Sequence, residues 1–427
     1  MAISITSTEV LLTSQVYSVV DIYNAAVEAN SNYVTMLEDT IVIDVDVRLK
    51  DNATLKDINK NIIIKGDLFQ WEKGCTVEFG EKLPTGQVIN GCKITMPAPK
   101  GAYGFGNKTT GESGNLKLYG CTVDIFCFWS LFAGDNKLDI IGNYINGYGR
   151  LSGIDSVFKH NKIKRAHGRY AAFALKGSIK ENYDNDVLAS EEFTGSSDHV
   201  TTKSVIYHNP KYSANMEIVN TTFDGYDHLA FIESTSGGDS LTCLDCDIRQ
   251  GYNIFRETDN VDFFQYFTFA PKLVDLNGNE IVNANVKCYD SSNTVLFETT
   301  SDVNGLINER VLYYFQDRDG STEKYTGKVF IEITSGDITI KLPFNINKPF
   351  KDFLIFVYEG DSGSGGGSGA EVDYDRIQSM IDANCECVSD KLNIVENKVS
   401  TVLIALTDDI AEGQTILKGS GDVMVVS

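Results

Sequence analysis

The sequence is poor in several features that mark common classes of protein. It has 5 His and 2 Trp in 427 residues, and its 37 Lys plus Arg are outnumbered by 59 Asp plus Glu, which gives a formal net charge of −22. A chain this acidic repels phosphate groups and anionic lipid headgroups. We therefore expect neither nucleic acid nor a membrane surface among its partners.

Signals for membranes, export and common chemistry are also lacking. The sequence has no run of about 18 apolar residues, the length needed to span a membrane, and the opening residues resemble no cleaved export signal. The motifs HExxH and GxSxG and the phosphate-binding P-loop do not occur. Nine cysteines, an odd number spread over a long chain, indicate reduced thiols rather than a disulfide framework. We expect a soluble protein made in a reducing cytoplasm, without membrane insertion, cofactor or metal.

What the sequence does contain is ample material for a core and a short, irregular repeat. Hydrophobic residues make up 42% of the chain, which at this length predicts two to four folded domains. Each repeat has two apolar residues at alternate positions, a gap of two, then Cys, Asn or Thr, and an apolar residue two positions later. The anchor positions are Cys92, Cys121, Asn143, Asn161, Asn182, Thr221 and Cys246.

Alternating apolar residues predict strands, and the gap of two predicts a bend between them. The anchors are separated by 29, 22, 18, 21, 39 and 25 residues, and we interpret the interval of 39 as two units. A strand, a corner and a strand at this spacing are typical of a parallel β-solenoid. The anchors are expected to form an inward ladder in which Asn side chains bond to their neighbours. Cys243 and Cys246 form a CxxC that we interpret as core packing, because no second pair lies at ligand spacing.

The first 40 residues are predicted to form an N-terminal segment with a capping helix. Val19 to Asn30 carry apolar residues at helical spacing, with Asp21 placed to cap the helix. A short amphipathic helix would cover the open end of a solenoid core.

The capping segment, the β run after it and the corners GC, GN, HN, EN and NT resemble the right-handed parallel β-helix of pectin-lyase-like proteins. The resemblance is in particular to bacteriophage tailspikes and related virion fibres. The resemblance covers about residues 15–265 and implies a mainly β fold, with a parallel β-helix over 41–268.

Residues 269–359 have a different pattern, with short alternating strands and the turn signals Asn277-Gly278 and Asn304-Gly305. They predict a small antiparallel β-sandwich that resembles carboxypeptidase-regulatory-like or transthyretin-like modules. DLNGNE at Asp275 to Glu280 begins like a calcium loop, but it lacks Gly at the sixth position and Glu at the twelfth. A hairpin turn explains it better.

Residues 360–370 form a Gly/Ser linker, 371–412 a predicted coiled-coil helix and 413–427 a tail. Apolar residues after the linker alternate in steps of 4 and 3, a seam that buries itself best against copies of itself. A single surface helix lying on the β-domains is the alternative. β-Branched residues at the d positions, with Leu at two a positions, favour three or more strands, and we predict a parallel trimer. The seam residues are Ile381, Cys385, Val388, Leu392, Val395, Val399, Val402 and Leu406.

Two kinds of site are compatible with this architecture. Tailspike enzymes cleave polysaccharide with paired carboxylates, and Asp224, Asp227 and Glu233 are candidates, although so acidic a chain places carboxylates close together by chance. Aromatic side chains could instead form a platform on which sugar rings stack, or could belong to the core. The candidates for that platform are Trp129, Tyr144, Tyr148 and Tyr226.

The sequence therefore predicts a structural bacteriophage fibre or spike. It would be a homotrimer on the head, neck or tail of a virion, made in the host bacterial cytoplasm and bound to other virion proteins. It would adhere to bacterial surface glycans. The alternative is a polysaccharide depolymerase, a glycoside hydrolase or lyase on the same fold, so enzyme activity is left open. A cellular surface adhesin is a third hypothesis, against which the missing export signal counts.

Overall fold

A computed structural model describes most of the chain up to residue 357. The described residues are 3–97, 105–107, 114–130, 137–152, 156–166, 173–176, 179–189, 204–208, 215–232, 239–256 and 261–357. The predicted linker, coiled coil and tail lie outside them. Within the described residues the fold is mainly β, with parallel sheets and one helix.

The strands are short and follow one another closely along the chain. The first part contains α1 Val19–Glu28 and strands β1 Ile3–Ile5, β2 Glu9–Thr13, β3 Val16–Tyr17, β4 Val34–Leu37, β5 Thr40–Ile43, β6 Asp46–Lys50, β7 Thr54–Asp57, β8 Asn61–Ile64, β9 Phe69–Trp71, β10 Thr76–Phe79, β11 Glu81–Lys82, β12 Val88–Ile89, β13 Lys93–Met96, β14 Phe105–Asn107, β15 Asn115–Tyr119, β16 Thr122–Ser130, β17 Leu138–Ile141, β18 Tyr144–Ser152 and β19 Ser156–Lys159. The remainder are β20 Lys162–Ala166, β21 Phe173–Lys176, β22 Ile179–Tyr183, β23 Asp186–Ala189, β24 Ser204–His208, β25 Asn215–Val219, β26 Thr222–Asp224, β27 His228–Ile232, β28 Asp239–Leu244, β29 Asp247–Ile248, β30 Ile254–Arg256, β31 Val261–Val274, β32 Asn285–Asp290, β33 Val295–Thr300, β34 Glu309–Gln316, β35 Glu323–Tyr325, β36 Lys328–Ser335, β37 Ile338–Asn345 and β38 Phe350–Phe356.

The helix α1 begins one residue after Ser18, which is its N-cap. The Ser18 hydroxyl accepts from the backbone N–H of Asp21, and the Asp21 carboxylate accepts from the backbone N–H of Ser18 at 2.7 Å. Asp21 is thus the third residue of a capping box and not the cap that the sequence predicted. Val19 and Ile22 are buried in the main hydrophobic cluster, so the apolar face of the helix packs on the core.

The repeats stack by parallel pairing. In a 13-stranded sheet, β7, β10, β15, β17, β19, β22, β25, β28 and β31 follow one another in order, each in parallel with the next. Corresponding apolar positions fall in register, as Val77, Leu116 and Leu138 do. These side chains are buried. The predicted strand, corner and strand therefore bring one repeat directly onto the next over much of the first 265 residues.

A second hydrophobic cluster begins at residue 267, and one long strand joins it to the first. Strand β31 has 14 residues; Phe263 belongs to the first cluster and Phe267 to the second. Within β31, residues 263–269 pair with β34 and residues 269–274 pair with β38, while β33, β32, β36 and β37 form a separate antiparallel sheet. We call the residues before 267 the first part of the chain and the residues from 267 onwards the second part. The boundary predicted at 268/269 lies inside β31, so backbone pairing is continuous from one part to the other.

Candidate functional site

The ladder positions lie at the corners between paired strands and are almost fully buried. Apart from Cys92, each buried corner residue is preceded by a residue with a left-handed backbone, such as Gly120 (φ 62°), Gly142 (φ 68°) and His160 (φ 56°). Glycine and short polar residues tolerate this conformation best, which explains the recurring GC, GN and HN pairs. The buried corner residues are Cys92, Cys121, Asn143, Asn161, Thr221 and Cys246.

Hydrogen bonds connect these corners from one repeat to the next. Asn143 Oδ1 accepts from the Cys121 N–H at 2.8 Å, and Asn161 Oδ1 accepts from the Asn143 N–H at 3.0 Å. The amide Nδ2 of Asn161 donates to the Ile140 carbonyl at 3.0 Å. Each asparagine thus satisfies backbone groups in the preceding repeat, where water has no access.

The next member of the ladder is Asn185 and not Asn182. Asn185 Oδ1 accepts from the Asn161 N–H at 3.0 Å, and Asn185 is 1% exposed. Asn182 instead pairs in register with Phe158, three residues before the corner. The sequence also predicted two repeats before Thr221, but Asp186 pairs directly with Thr222, so this interval is one long repeat.

The carboxylate of Asp224 is fully engaged by its neighbours. One oxygen accepts from the Gln250 amide and from the Gly225 N–H at 2.8 Å, and the other accepts from Arg249 at 3.0 Å. The hydrogen bond from Gln250, followed by that from Arg249, lowers the pKa of Asp224. A carboxyl group held ionised in this way is a poor proton donor to a leaving group.

Of the other two predicted acidic residues, only one is described. Asp227 is exposed and its backbone carbonyl accepts from the Asn253 amide at 2.8 Å. Glu233 lies outside the described residues. His228 follows Asp227, and burial lowers the pKa of its imidazole.

The predicted aromatic platform is only partly supported by exposure. Tyr226 is 5% exposed, belongs to the main core and donates its hydroxyl proton to the Gly251 carbonyl at 2.9 Å. It cannot stack on a sugar, because its ring is covered by protein; this prediction was wrong. Tyr144 is 37% exposed, and the Lys164 ammonium lies 5.7 Å from its ring centroid. Trp129 and Tyr148 lie on strands β16 and β18, and their side chains fall outside what is described.

The CxxC pair lies in the core. Cys243 and Cys246 are buried free thiols, and the Cys246 Sγ lies 3.4 Å from the Ile218 carbonyl. Hydrogen bonding to Cys246 and burial raise the pKa of Cys243. Among the described residues no group of three or more His, Cys, Asp or Glu side chains is placed to hold a metal ion.

Comparison with protein-family models, curated proteins and solved structures gave no match. In the described part of the chain no helix is long and apolar enough to cross a membrane. The predicted trimerisation residues, from Ile381 to Leu406, lie outside the described residues.

One buried polar residue escaped the sequence analysis. His208, at the end of β24, is fully buried, and neither ring nitrogen has a hydrogen-bond partner among the described residues. Burial lowers its pKa to about 4, so the imidazole is neutral at pH 7. The only signal in the sequence was its position two residues after Ile206 in an apolar run.

Proposed function

We propose that this chain is a trimeric structural fibre or spike of a bacteriophage virion that adheres to bacterial surface glycans. Its fold would be a right-handed parallel β-helix, followed by a small antiparallel β-sandwich and a C-terminal coiled coil. The other virion proteins are its partners, and the host cytoplasm is where it is made. Three linked copies would raise the effective concentration of individually weak glycan contacts.

The observation that carries this proposal is the continuous pairing of strands from β3 through β31 into β34 and β35. Buried asparagines tie successive repeats together, and β31 extends the same sheet into the second part. A structure paired in this way resists bending between repeats. It is suited to bear load as an appendage and to hold binding sites away from a particle.

The state of Asp224 favours adhesion over the alternative, a polysaccharide depolymerase. A glycosidase needs one carboxyl group protonated near the leaving oxygen and a second carboxylate about 5 to 9.5 Å away. Asp224 has a lowered pKa, and both its oxygens are bonded to Gln250, Gly225 and Arg249. Of the four predicted platform residues, Tyr144, with Lys164 beside it, is the one whose side chain is described and exposed.

A panel of capsular and O-antigen polysaccharides tests the proposed adhesion. We expect the full chain to bind at least one polysaccharide, with no reducing ends released, and Tyr144→Ala to weaken that binding. Tyr226→Phe is the matched aromatic control, because its buried ring stays in place. If the unaltered chain releases reducing ends and Asp224→Asn does not, the protein is a depolymerase and the adhesion proposal is wrong.

The proposed trimer is tested separately by light scattering of the full chain. We expect a mass of three chains, and a monomer when Leu392 and Val399 are both replaced by Lys. A monomeric unaltered chain would contradict the trimer. Imaging of virions with a bound antibody would then show whether the protein belongs to the head, neck or tail.

A further inference from the structure

The 13-stranded sheet carries apolar side chains on its outer surface as well as on the side that faces the core. On the middle strands β15, β17 and β19, three of these outer side chains are covered. Val88, on the short hairpin of β11 and β12, packs against Tyr119, Ile141 and Val157 in a small cluster separate from the main core. The chain therefore uses a local hairpin to keep this part of the outer surface from water.

Further along the same sheet, a row of apolar positions leads to the second part of the chain. Register pairing connects Val219 to Leu244, Leu244 to Tyr266 and Tyr266 to Leu312. Phe264 lies beside this row, with its ring centroid 6.0 Å from that of Tyr266 and 5.2 Å from that of Phe315. Apart from Leu244, these side chains stay partly exposed in the described structure. The docking face comprises Val219, Leu244, Phe264, Tyr266, Leu312 and Phe315.

The charges that border the docking face are paired. Three acidic residues at its edge each bond to a basic residue that the second part of the chain contributes. The pairs are Glu217 with Arg310 at 2.6 Å, Asp245 with Lys351 at 2.7 Å and Asp262 with Arg318 at 3.5 Å. On a chain with a formal charge of −22, this leaves a locally neutral and aromatic surface.

We infer that a second copy of this chain docks on this face, so that the copies of the proposed trimer turn it towards their common axis. This inference rests on the proposed trimer. Like-charged copies repel one another, and they approach most easily where charges are neutralised and apolar surface can be buried. A glycan fits less well, because the Phe264 and Phe315 rings offer no hydrogen-bonding group and the bordering carboxylates are already paired.

Chemical crosslinking of the full chain tests this arrangement. Thr242 is in register with Phe264 and partly exposed, so Thr242→Cys places a thiol on the docking face. With a short bismaleimide we expect a covalent link between residue 242 of one copy and residue 242 of another, identified by mass spectrometry. Val303→Cys is the control, because Val303 is 79% exposed on a turn of the second part. It is expected to give only the background of the unaltered chain.

A pair of substitutions within the docking face tests whether the crosslink depends on that face. Phe264→Glu with Phe315→Glu, added to Thr242→Cys, should abolish the 242-to-242 link and leave the circular dichroism spectrum unchanged. A chain that scatters light as a trimer but gives no such link would overturn the docking face and leave the proposed trimer standing. A chain that is monomeric at all concentrations would overturn both.

Discussion

The two parts of the chain satisfy the backbone groups of their tight turns in opposite ways. In the first part a side chain of one repeat serves the corner of the preceding repeat, as Asn161 does for Asn143, 18 residues earlier. In the second part an aspartate serves its own turn: the Asp302 carboxylate accepts from the N–H groups of Asn304 and Leu306, each at 2.8 Å. Order is therefore shared between repeats in the first part and is local in the second.

The largest effect should come from breaking the ladder of the first part. Asn161→Ala would leave the buried Asn143 N–H and the Ile140 carbonyl without their side-chain partner. We expect the free energy of unfolding to fall by about 2 to 5 kcal/mol, since each buried unsatisfied group costs about 1 to 3 kcal/mol. Chemical denaturation of the full chain, followed by circular dichroism, measures it.

Asn146→Ala is the matched control, because Asn146 also bonds to the neighbouring repeat but only at a partly exposed site. Its amide donates to the Asp124 carboxylate at 2.9 Å. We expect this variant to lose less than about 1 kcal/mol, as exposed polar substitutions usually do. Equal losses in the two variants would mean that burial of the ladder is not what stabilises the repeats.

The second effect is a loss of stability in acid, caused by a residue of the first part. All five histidines lie before residue 261, and His208 is the one that is fully buried without a hydrogen-bond partner among the described residues. Its folded pKa of about 4 is below the unfolded value of 6.5, so the unfolded chain binds the proton more readily. Stability is lost as pH falls from about 6.5 towards 4, by up to about 3 kcal/mol.

Comparing His208→Leu with the unaltered chain isolates the contribution of this imidazole to the pH dependence of stability, since acid effects on the carboxylates are common to both. The free energy of unfolding of His208→Leu should depend less on pH between 6.5 and 4. An unchanged pH dependence in His208→Leu would show that the imidazole is hydrated or bonded in solution.

The sequence could predict the mainly β fold, because alternating apolar positions and recurring corners are local signals. The predicted position of one corner was three residues too early, at Asn182 instead of Asn185, because both positions carry the Asn that the repeat requires. The better signal was the residue before the corner: Asp184 adopts φ 55° more readily than Glu181 would. The burial of Tyr226 could not be predicted, because the direction of a side chain on an irregular turn depends on packing from distant strands. The docking face was hidden for a similar reason, since β31 is apolar on both of its sides.

The smallest effect should come from a turn of the second part. Asp302→Ala removes an acceptor from an exposed turn, where water can replace it, so we expect a loss of stability well below that of Asn161→Ala. Hydrogen exchange should quicken at the amides of Asn304 and Leu306 and stay unchanged at Cys121 and Asn143. Asp302→Asn retains an acceptor oxygen and is expected to exchange almost as slowly as the unaltered chain.

Backbone hydrogen bonds from Leu306 and Asn304 lower the pKa of Asp302, so this protection should persist at neutral pH and fade as acid protonates the carboxylate. Faster exchange that spreads into the ladder would show that the two parts share their order through β31, and the distinction between local and shared turns would then fail.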